Sequence, residues 1–282
     1  MSAAPSFPAI ASWIDGVEGN LIPIDDRGLQ YGDGLFETIL VRNGVPRFLT
    51  LHRERLQRGL TRLGIAPPAT KILEADLARA LPMAPPLAVL KLMITRGSAP
   101  RRGYAPPAEC TPRRIVSLWS TEPLPRDSIE HGVSLDVARL RVPESSPFAG
   151  LKHLNRLENV MAAAEGLGRS EFDALMFDTA DHLVSGTACN VFLVKAGAIL
   201  TPSVERAGVA GVMRAVVLRE AARLGIPATE TELSLRDLAA ADAMFVTNAR
   251  IGVVPVKRVR EHEFPMSAIP VRLREAIEVL DA

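Results

Sequence analysis

The hydrophobic period of this chain changes abruptly, and more than once. Between Trp13 and Arg47 come several short extended-looking pieces, among them residues 35–41 (LFETILV), punctuated by glycines and aspartate pairs, as expected of strands joined by tight turns. Immediately afterwards, LHRERLQRGLTRLGI places Leu51, Leu56, Leu60 and Leu63 near one helical face, with Arg and Gln on the other. The spacing predicts a helix over 51–63, a second helix over 72–81, a buried strand over 88–95 bounded by Pro85-Pro86 and Gly97, and another strand over 114–119. Between those strands, residues 98–112 are rich in Pro, Ala and charge and read as a loop. The first 120 residues or so therefore read as α+β.

Residues 120–128 (STEPLPRDS) break the periodicity with two prolines and exposed charges, which predicts a linker between a small domain over 1–119 and a larger one over 129–282. Beyond it, GVSLDVARLRV, DALMFD, NVFLV and AMFVT are strand-like, whereas 156–167, 211–224 and 271–280 are helical in pattern. No repeat of fixed period and no low-complexity tract is present, which sets aside solenoids and propellers. A length of 282 residues suits two domains or one large one. Thirty-three Lys and Arg against 32 Asp and Glu leave a formal charge of +1, so bulk electrostatics give no case for a nucleic-acid or anionic-membrane partner, and any anion site must be local. Cys110 and Cys189 form neither a disulfide framework nor a zinc motif, which fits a reducing cytoplasm. The amino-terminal residues lack a signal-peptide pattern and no apolar run is long enough for a membrane span, so a cytoplasmic protein is expected.

Chemistry-bearing motifs are fewer. The chain has no H-E-x-x-H, G-x-S-x-G, P-loop or G-x-G-x-x-G pattern. His52, His131, His182 and His262 are unclustered and read as surface or locally satisfied residues; His153 stands apart through its neighbours. Lys152 ends an apolar-flanked segment ahead of a helical run and precedes His153, Asn155 and Arg156. A lone lysine is ordinarily a solvated charge, but one desolvated among polar groups becomes a nucleophile able to form a Schiff base. Gly208 and Gly211 precede a helical run opening near Val212. They fit either a closely packed helix start or an anion cradle built from the free N–H groups of Gly211, Val212 and Met213. Arg55, on the polar face of the first helix, is a solvated arginine unless it finds a partner.

Seven blocks, DRGLQYGDGLFET at 26–38, HRERL at 52–56, ITRGSAPRRGY at 94–104, LKHLNRLENV at 151–160, SGTACNVFLV at 185–194, AGVMR at 210–214 and TNARIGVVPV at 247–256, resemble in order the motifs of the fold-type IV pyridoxal-phosphate enzymes. That family includes D-amino-acid and branched-chain aminotransferases and aminodeoxychorismate lyase, and K-H-L-N-R-L-E with the R-G-x-x-x-R-G-Y-like loop is most similar to the lyase branch. The resemblance implies a fold like that of D-amino-acid aminotransferase, with a small N-terminal α/β domain, a larger C-terminal domain around a barrel-like sheet, pyridoxal 5'-phosphate at their interface, and a homodimer. Carried over by position, Lys152 bonds the cofactor and then moves protons, and Arg55 contacts the phosphate. Gly211, Val212 and Met213 complete the phosphate cup, and Asn248, in the loop before 253–256, lies close by. For a lyase, the implied substrate is aminodeoxychorismate, a small molecule split into p-aminobenzoate and pyruvate in folate biosynthesis. Thr38 then matches a position for proton delivery to the leaving group, although strand threonines are commonplace, and Arg102 and Tyr104 are candidates for the substrate carboxylates.

One position departs from the family pattern. Five residues before Asn190 the family carries a Glu that pairs with the pyridine nitrogen, and here that residue is Ser185. A serine is the weaker proton source, so the ring becomes a weaker electron sink. Transamination suffers most, whereas an elimination that ends in an aromatic ring is driven forward; Ser185 therefore favours lyase over aminotransferase. A catalytically silent cofactor-binding member is the remote alternative, disfavoured by the joint presence of Lys152 and Arg55.

Overall fold

The protein is described from a computed structural model covering residues 9–143, 147–166 and 171–281. The last residue of the helix expected over 156–167 lies outside these. The chain separates into two compact units. The first comprises Met1–Pro123 together with the short segment Lys152–Asn155, and the second Leu124–Leu151 and Arg156–Ala282.

The first unit contains β1 (Ala9–Ile14), β2 (Val17–Glu18), α1 (Arg27–Tyr31), β3 (Gly34–Arg42), β4 (Val45–Pro46), α2 (Leu49–Leu63), α3 (Thr70–Ala80), β5 (Leu87–Thr95) and β6 (Arg113–Ser120). Its sheet runs β2-β1-β6-β5-β3-β4, and every pair is antiparallel. Of the two class labels, α+β is thus the one that describes this unit. Alternation along β3 points Leu35, Glu37, Ile39 and Val41 to one face, where all four are buried, and Phe36 and Thr38 to the other. Helix α2 packs on the Glu37 face. A Cβ on Gly59 would lie 2.6 Å from Leu35 Cδ1, so only glycine lets the helix approach this closely. The buried stripe of α2 is His52, Arg55, Leu56, Gly59 and Leu60, a helical period that includes two basic residues.

The second unit contains α4 (Arg126–Glu130), β7 (Val133–Val142), α5 (Leu157–Glu165), β8 (Asp173–Asp178), β9 (Leu183–Gly186), β10 (Asn190–Lys195), β11 (Ala198–Pro202), α6 (Val212–Arg223), β12 (Ala228–Thr231), α7 (Leu235–Ala239), β13 (Ala243–Asn248), β14 (Gly252–Val259), β15 (His262–Glu263) and α8 (Ala268–Glu278). Its mixed sheet runs β12-β11-β10-β13-β14-β7-β8-β9, with β15 added to β14, and it curls so that β9 also packs beside β10. Inside the curl lies a core that includes Val133, Leu135, Leu175, Phe177, Val191, Leu193, Val246 and Val254. On the other face Phe192 and Phe245, directly paired across β10 and β13, stack at 4.8 Å. No helix is long and apolar enough to cross a membrane among the described residues.

Candidate active site

Lys152 is fixed by its backbone. The 152–155 segment runs along the first half of β3: Phe36 N–H donates to Lys152 O at 2.9 Å, and Leu154 N–H to Gly34 O at 3.0 Å. β4 occupies only the far end of β3, at Val41 and Arg42, which leaves this edge for the lysine segment. The glycines of the Y-G-D-G turn make the approach feasible. Gly32 is left-handed at φ 66°, and a Cβ there would meet Asn155 Oδ1 at 2.3 Å; one on Gly34 would meet Ile94 O at 2.4 Å. Asn155 in turn donates to Gly32 O at 3.1 Å. Held so, Lys152 Nζ lies 4.2 Å from the centroid of the Phe36 ring. Thr38 follows two residues along, on the same face of β3 and half-buried.

Behind that edge lies a buried ion cluster. Glu37 accepts hydrogen bonds from His52 Nδ1 at 2.6 Å, from Arg55 Nε at 2.9 Å and from Arg55 Nη2. Burial alone would raise the Glu37 pKa, but the His52 hydrogen bond and the charge and hydrogen bonds of Arg55 outweigh it and hold the carboxyl below its ordinary range. Burial also pushes the His52 imidazole down; Glu37 opposes this, and the positive charges of Arg55 and Lys152 reinforce it. The balance favours the neutral imidazole. Because an ionised carboxylate only accepts, its proton sits on Nδ1. His52 Nε2 is left buried without a hydrogen-bond partner. Arg55 is thus not the solvated arginine that its helix position suggests; its side chain is 9% exposed and its counter-ion is Glu37.

Sequence reasoning overlooks Glu37 and leaves His52 unclustered. A signal was available: Glu37 is the one charge on the Leu35–Ile39–Val41 face of β3, and a carboxylate among aliphatics requires a buried cation.

The loop carrying Arg102 and Tyr104 is anchored by the same motif block. Buried Arg27 donates to Asp33 at 2.8 Å and to the carbonyls of Gly103 and Tyr104 at 2.9 and 2.8 Å. Arg96 bonds Asp33 from the other side at 2.7 Å. Despite burial, which acts the other way, these two arginines hold the Asp33 carboxyl below its ordinary range. The Tyr104 ring rests against Tyr31 at 5.5 Å but is 87% exposed, and Arg102 is exposed.

In the second unit, Gly211 N-caps α6 without any side-chain cap, so the first amides of the helix, at Val212 and Met213, receive no side-chain acceptor from the cap residue. Asn190 shapes the approach to that helix. Its Nδ2 donates to Val209 O at 2.9 Å, and its Oδ1 would lie 2.0 Å from a Cβ on Gly211. Ser185 is half-buried on β9 opposite Met176 of β8. Asn248 differs from expectation: it is the last residue of β13 and not a loop residue. Its Oδ1 accepts from Arg250 N and Ile251 N at 2.9 and 3.0 Å, and its Nδ2 donates to Ala188 O at 3.1 Å, so the amide is used in turning the chain. Lys152, Thr38, Arg55, Arg102 and Tyr104 accordingly belong to the first unit, and Ser185, Gly211, Val212, Met213 and Asn248 to the second.

The model of the amino-transferase class IV family matches residues 34–259, from the first residue of β3 to the last of β14. The chain belongs to this family. Among class IV relatives, aminodeoxychorismate lyase of Vibrio harveyi is 34% identical over 266 residues, covering 93% of this chain and 97% of that one. A branched-chain-amino-acid aminotransferase, itself putative in name, from Methanocaldococcus jannaschii is 32% identical over 242 residues, covering 83% and 81%. Among solved class IV structures, 4-amino-4-deoxychorismate lyase from Pseudomonas aeruginosa superposes with a TM-score of 0.89 at 40% identity, covering 96% of this chain and all of that one.

Proposed function

We propose that this protein is a pyridoxal-phosphate-dependent lyase that converts 4-amino-4-deoxychorismate to p-aminobenzoate and pyruvate. The observation that carries the chemistry is the lysine, pinned by its backbone to β3 with its ammonium over Phe36. The choice of substrate is supported by full-length likeness to two proteins named as this lyase, at 34% and 40% identity.

The residues fit the cofactor. Each unit supplies groups of the kind that a phosphate ester binds: in the first a buried guanidinium, and in the second a helix N-terminus opened by a glycine with no side-chain cap. Lys152 would bond the cofactor, Arg55 and the amides of Val212 and Met213 would take its phosphate, Gly211 would leave it room, and Ser185 would face the pyridine nitrogen. Asn248, tied into its own turn, would support the loop and not the ring. When bound, the cofactor supplies an electrophilic carbonyl carbon and a ring that takes up an electron pair.

The protein's own part is proton management and binding. With substrate bound, Lys152 Nζ would take the proton from the amine-bearing ring carbon, the adjacent carbon–oxygen bond would break and the six-membered ring would become aromatic. The Thr38 hydroxyl would relay a proton to the methylene carbon of the departing enolpyruvate, giving pyruvate. Glu37 and His52 are positioning residues, since they fix the guanidinium of Arg55 from behind. Exposed Leu21, Ile24 and Leu29 in the first unit suit contact with a second copy of the chain, in keeping with a homodimer.

The test is to incubate purified protein with aminodeoxychorismate and follow both products, with Lys152→Ala alongside. Stoichiometric p-aminobenzoate and pyruvate, lost in the variant, is the expected result. A protein that binds the cofactor, releases neither product and instead converts the cofactor to its amine form with an amino-acid donor would be an aminotransferase.

A further inference from the structure

Helix α6 carries a charge where a helix ordinarily disfavours one. Arg214 is its third residue, so the guanidinium belongs to the first turn, the end at which unpaired amides already gather partial positive charge and a cation is destabilising. The residue is also only 5% exposed, and it lies with Val212, Met213, Val216 and Val217 in the buried stripe of the helix. Water therefore does little to offset the cost.

The partners of Arg214 seat the helix but compensate the charge incompletely. Nη2 donates to the Pro202 carbonyl at 2.9 Å and to Glu230 Oε2 at 2.6 Å. Pro202 ends β11, and Thr201 and Pro202 pair with Glu230 and Thr231 of β12, so one nitrogen ties the first turn of α6 to two strands at once. Thr201 Oγ1 carries the tie on to β10 by donating to Val191 O at 2.7 Å, next to Asn190, which holds Val209 O on the approach to the same helix. The Glu230 side chain, however, is 49% exposed and screened by solvent, and Arg214 Nε is buried without a hydrogen-bond partner among the described residues. A buried cation at the positive end of a helix, with a half-solvated counter-ion and a spare N–H, is favourable only when an anion sits nearby.

We propose that Arg214 is a positioning residue for the cofactor phosphate: it seats the first turn of α6 on β11 and β12 and adds a full positive charge to that turn, acting through the helix. The inference rests on the reading of Gly211, Val212 and Met213 as part of the phosphate cup, and is independent of which substrate the enzyme takes.

The experiment titrates the full-length apoprotein with pyridoxal phosphate and with pyridoxal, which lacks the phosphate, following the absorbance of the bound ligand. In Arg214→Met the affinity for pyridoxal phosphate should fall about 3- to 30-fold, the scale of one partly buried charge acting at a helix terminus, while that for pyridoxal stays within about twofold of the wild type. Arg214→Lys, which keeps the charge, should recover most of the loss. Glu230→Gln separates charge from tether, since it removes the counter-ion at a half-exposed position and leaves the guanidinium in place. It should bind pyridoxal phosphate at least as tightly as the wild type. A merely structural role would weaken both ligands alike in Arg214→Met and would make Glu230→Gln resemble it; either result overturns the proposal, as does an unchanged affinity for pyridoxal phosphate in Arg214→Met. Should Arg214→Met fail to fold, the preference for pyridoxal phosphate over pyridoxal in Glu230→Gln decides by itself: held or raised, it supports the proposal, and reduced, it overturns it. The titrations involve no substrate, so a protein that leaves aminodeoxychorismate untouched defeats the lyase reading and not this one.

Discussion

Replacing Glu37 by Gln keeps the shape of the side chain and removes its charge, and the surroundings leave the new amide no good arrangement. Oε1 accepts from Arg55 Nε, while Oε2 accepts from both His52 Nδ1 and Arg55 Nη2. A glutamine offers one oxygen and one NH2 group, so whichever way it is turned a donor faces a donor. His52 could relieve part of this by moving its proton to Nε2, but that atom is buried with no acceptor. The Glu37 and Arg55 side chains are 2% and 9% exposed, so water does not step in. Breaking a buried pair of this kind costs about 3–5 kcal/mol, because the surviving charge is stranded. Removing the stranded charge as well should restore much of that, so Arg55→Met should be far less harmful in the Glu37→Gln background than in the wild type. Both tryptophans, Trp13 and Trp119, lie in the first unit, so their fluorescence during urea denaturation of the apoprotein reports on this unit alone. A loss below about 1 kcal/mol in Glu37→Gln, or single-variant costs that simply add to within about 0.5 kcal/mol, would refute the reasoning.

Three further outcomes are expected. His52 is held below its ordinary value of 6.5, so below that pH the unfolded chain takes up a proton that the folded chain refuses. Stability of the first unit should therefore fall as pH drops through about 6.5, with a second loss below the ordinary carboxyl value of 4.5 as unfolded Glu37 protonates; identical pH profiles between 7 and 5 for wild type and His52→Gln would contradict this. Gly211→Ala places a methyl group 2.0 Å from Asn190 Oδ1, and about 1–3 kcal/mol of overpacking translates into a roughly 5- to 150-fold loss of pyridoxal-phosphate affinity, measured by fluorescence titration. Ser185→Glu should gain conversion of the cofactor to its amine form by amino acids; a severalfold rise in lyase turnover with no such gain would mean that the account of the serine is mistaken.

The elements were legible in the sequence wherever apolar side chains carried the pattern. The strand expected over 35–41 is β3, that over 88–95 is β5, that over 114–119 is β6, and the helix expected over 51–63 is α2. Short strands with few interior positions were not legible. β9, β11 and β12 hold only 4, 5 and 4 residues, too few for a period to register. Why the ion cluster escaped is more instructive. A helical wheel sorts by polarity and so assigns His52 and Arg55 to the wet face of α2, yet they fall at i, i+3 with Leu56, Gly59 and Leu60 in the buried stripe. The stripe is continuous only if two basic residues are admitted to it, and they are admissible only because Glu37 waits on the facing strand.

That dependence links folding to function in the first unit. Neither Glu37 nor Arg55 could be buried without the other, and Gly59, one turn along, sets the helix close enough to β3 for them to meet. The result is a guanidinium held by its Nε–Nη2 edge beside the strand that also fixes the backbone of Lys152. An arginine so held surrenders little rotamer entropy when an anion binds, which a solvated arginine at the same position would have to give up.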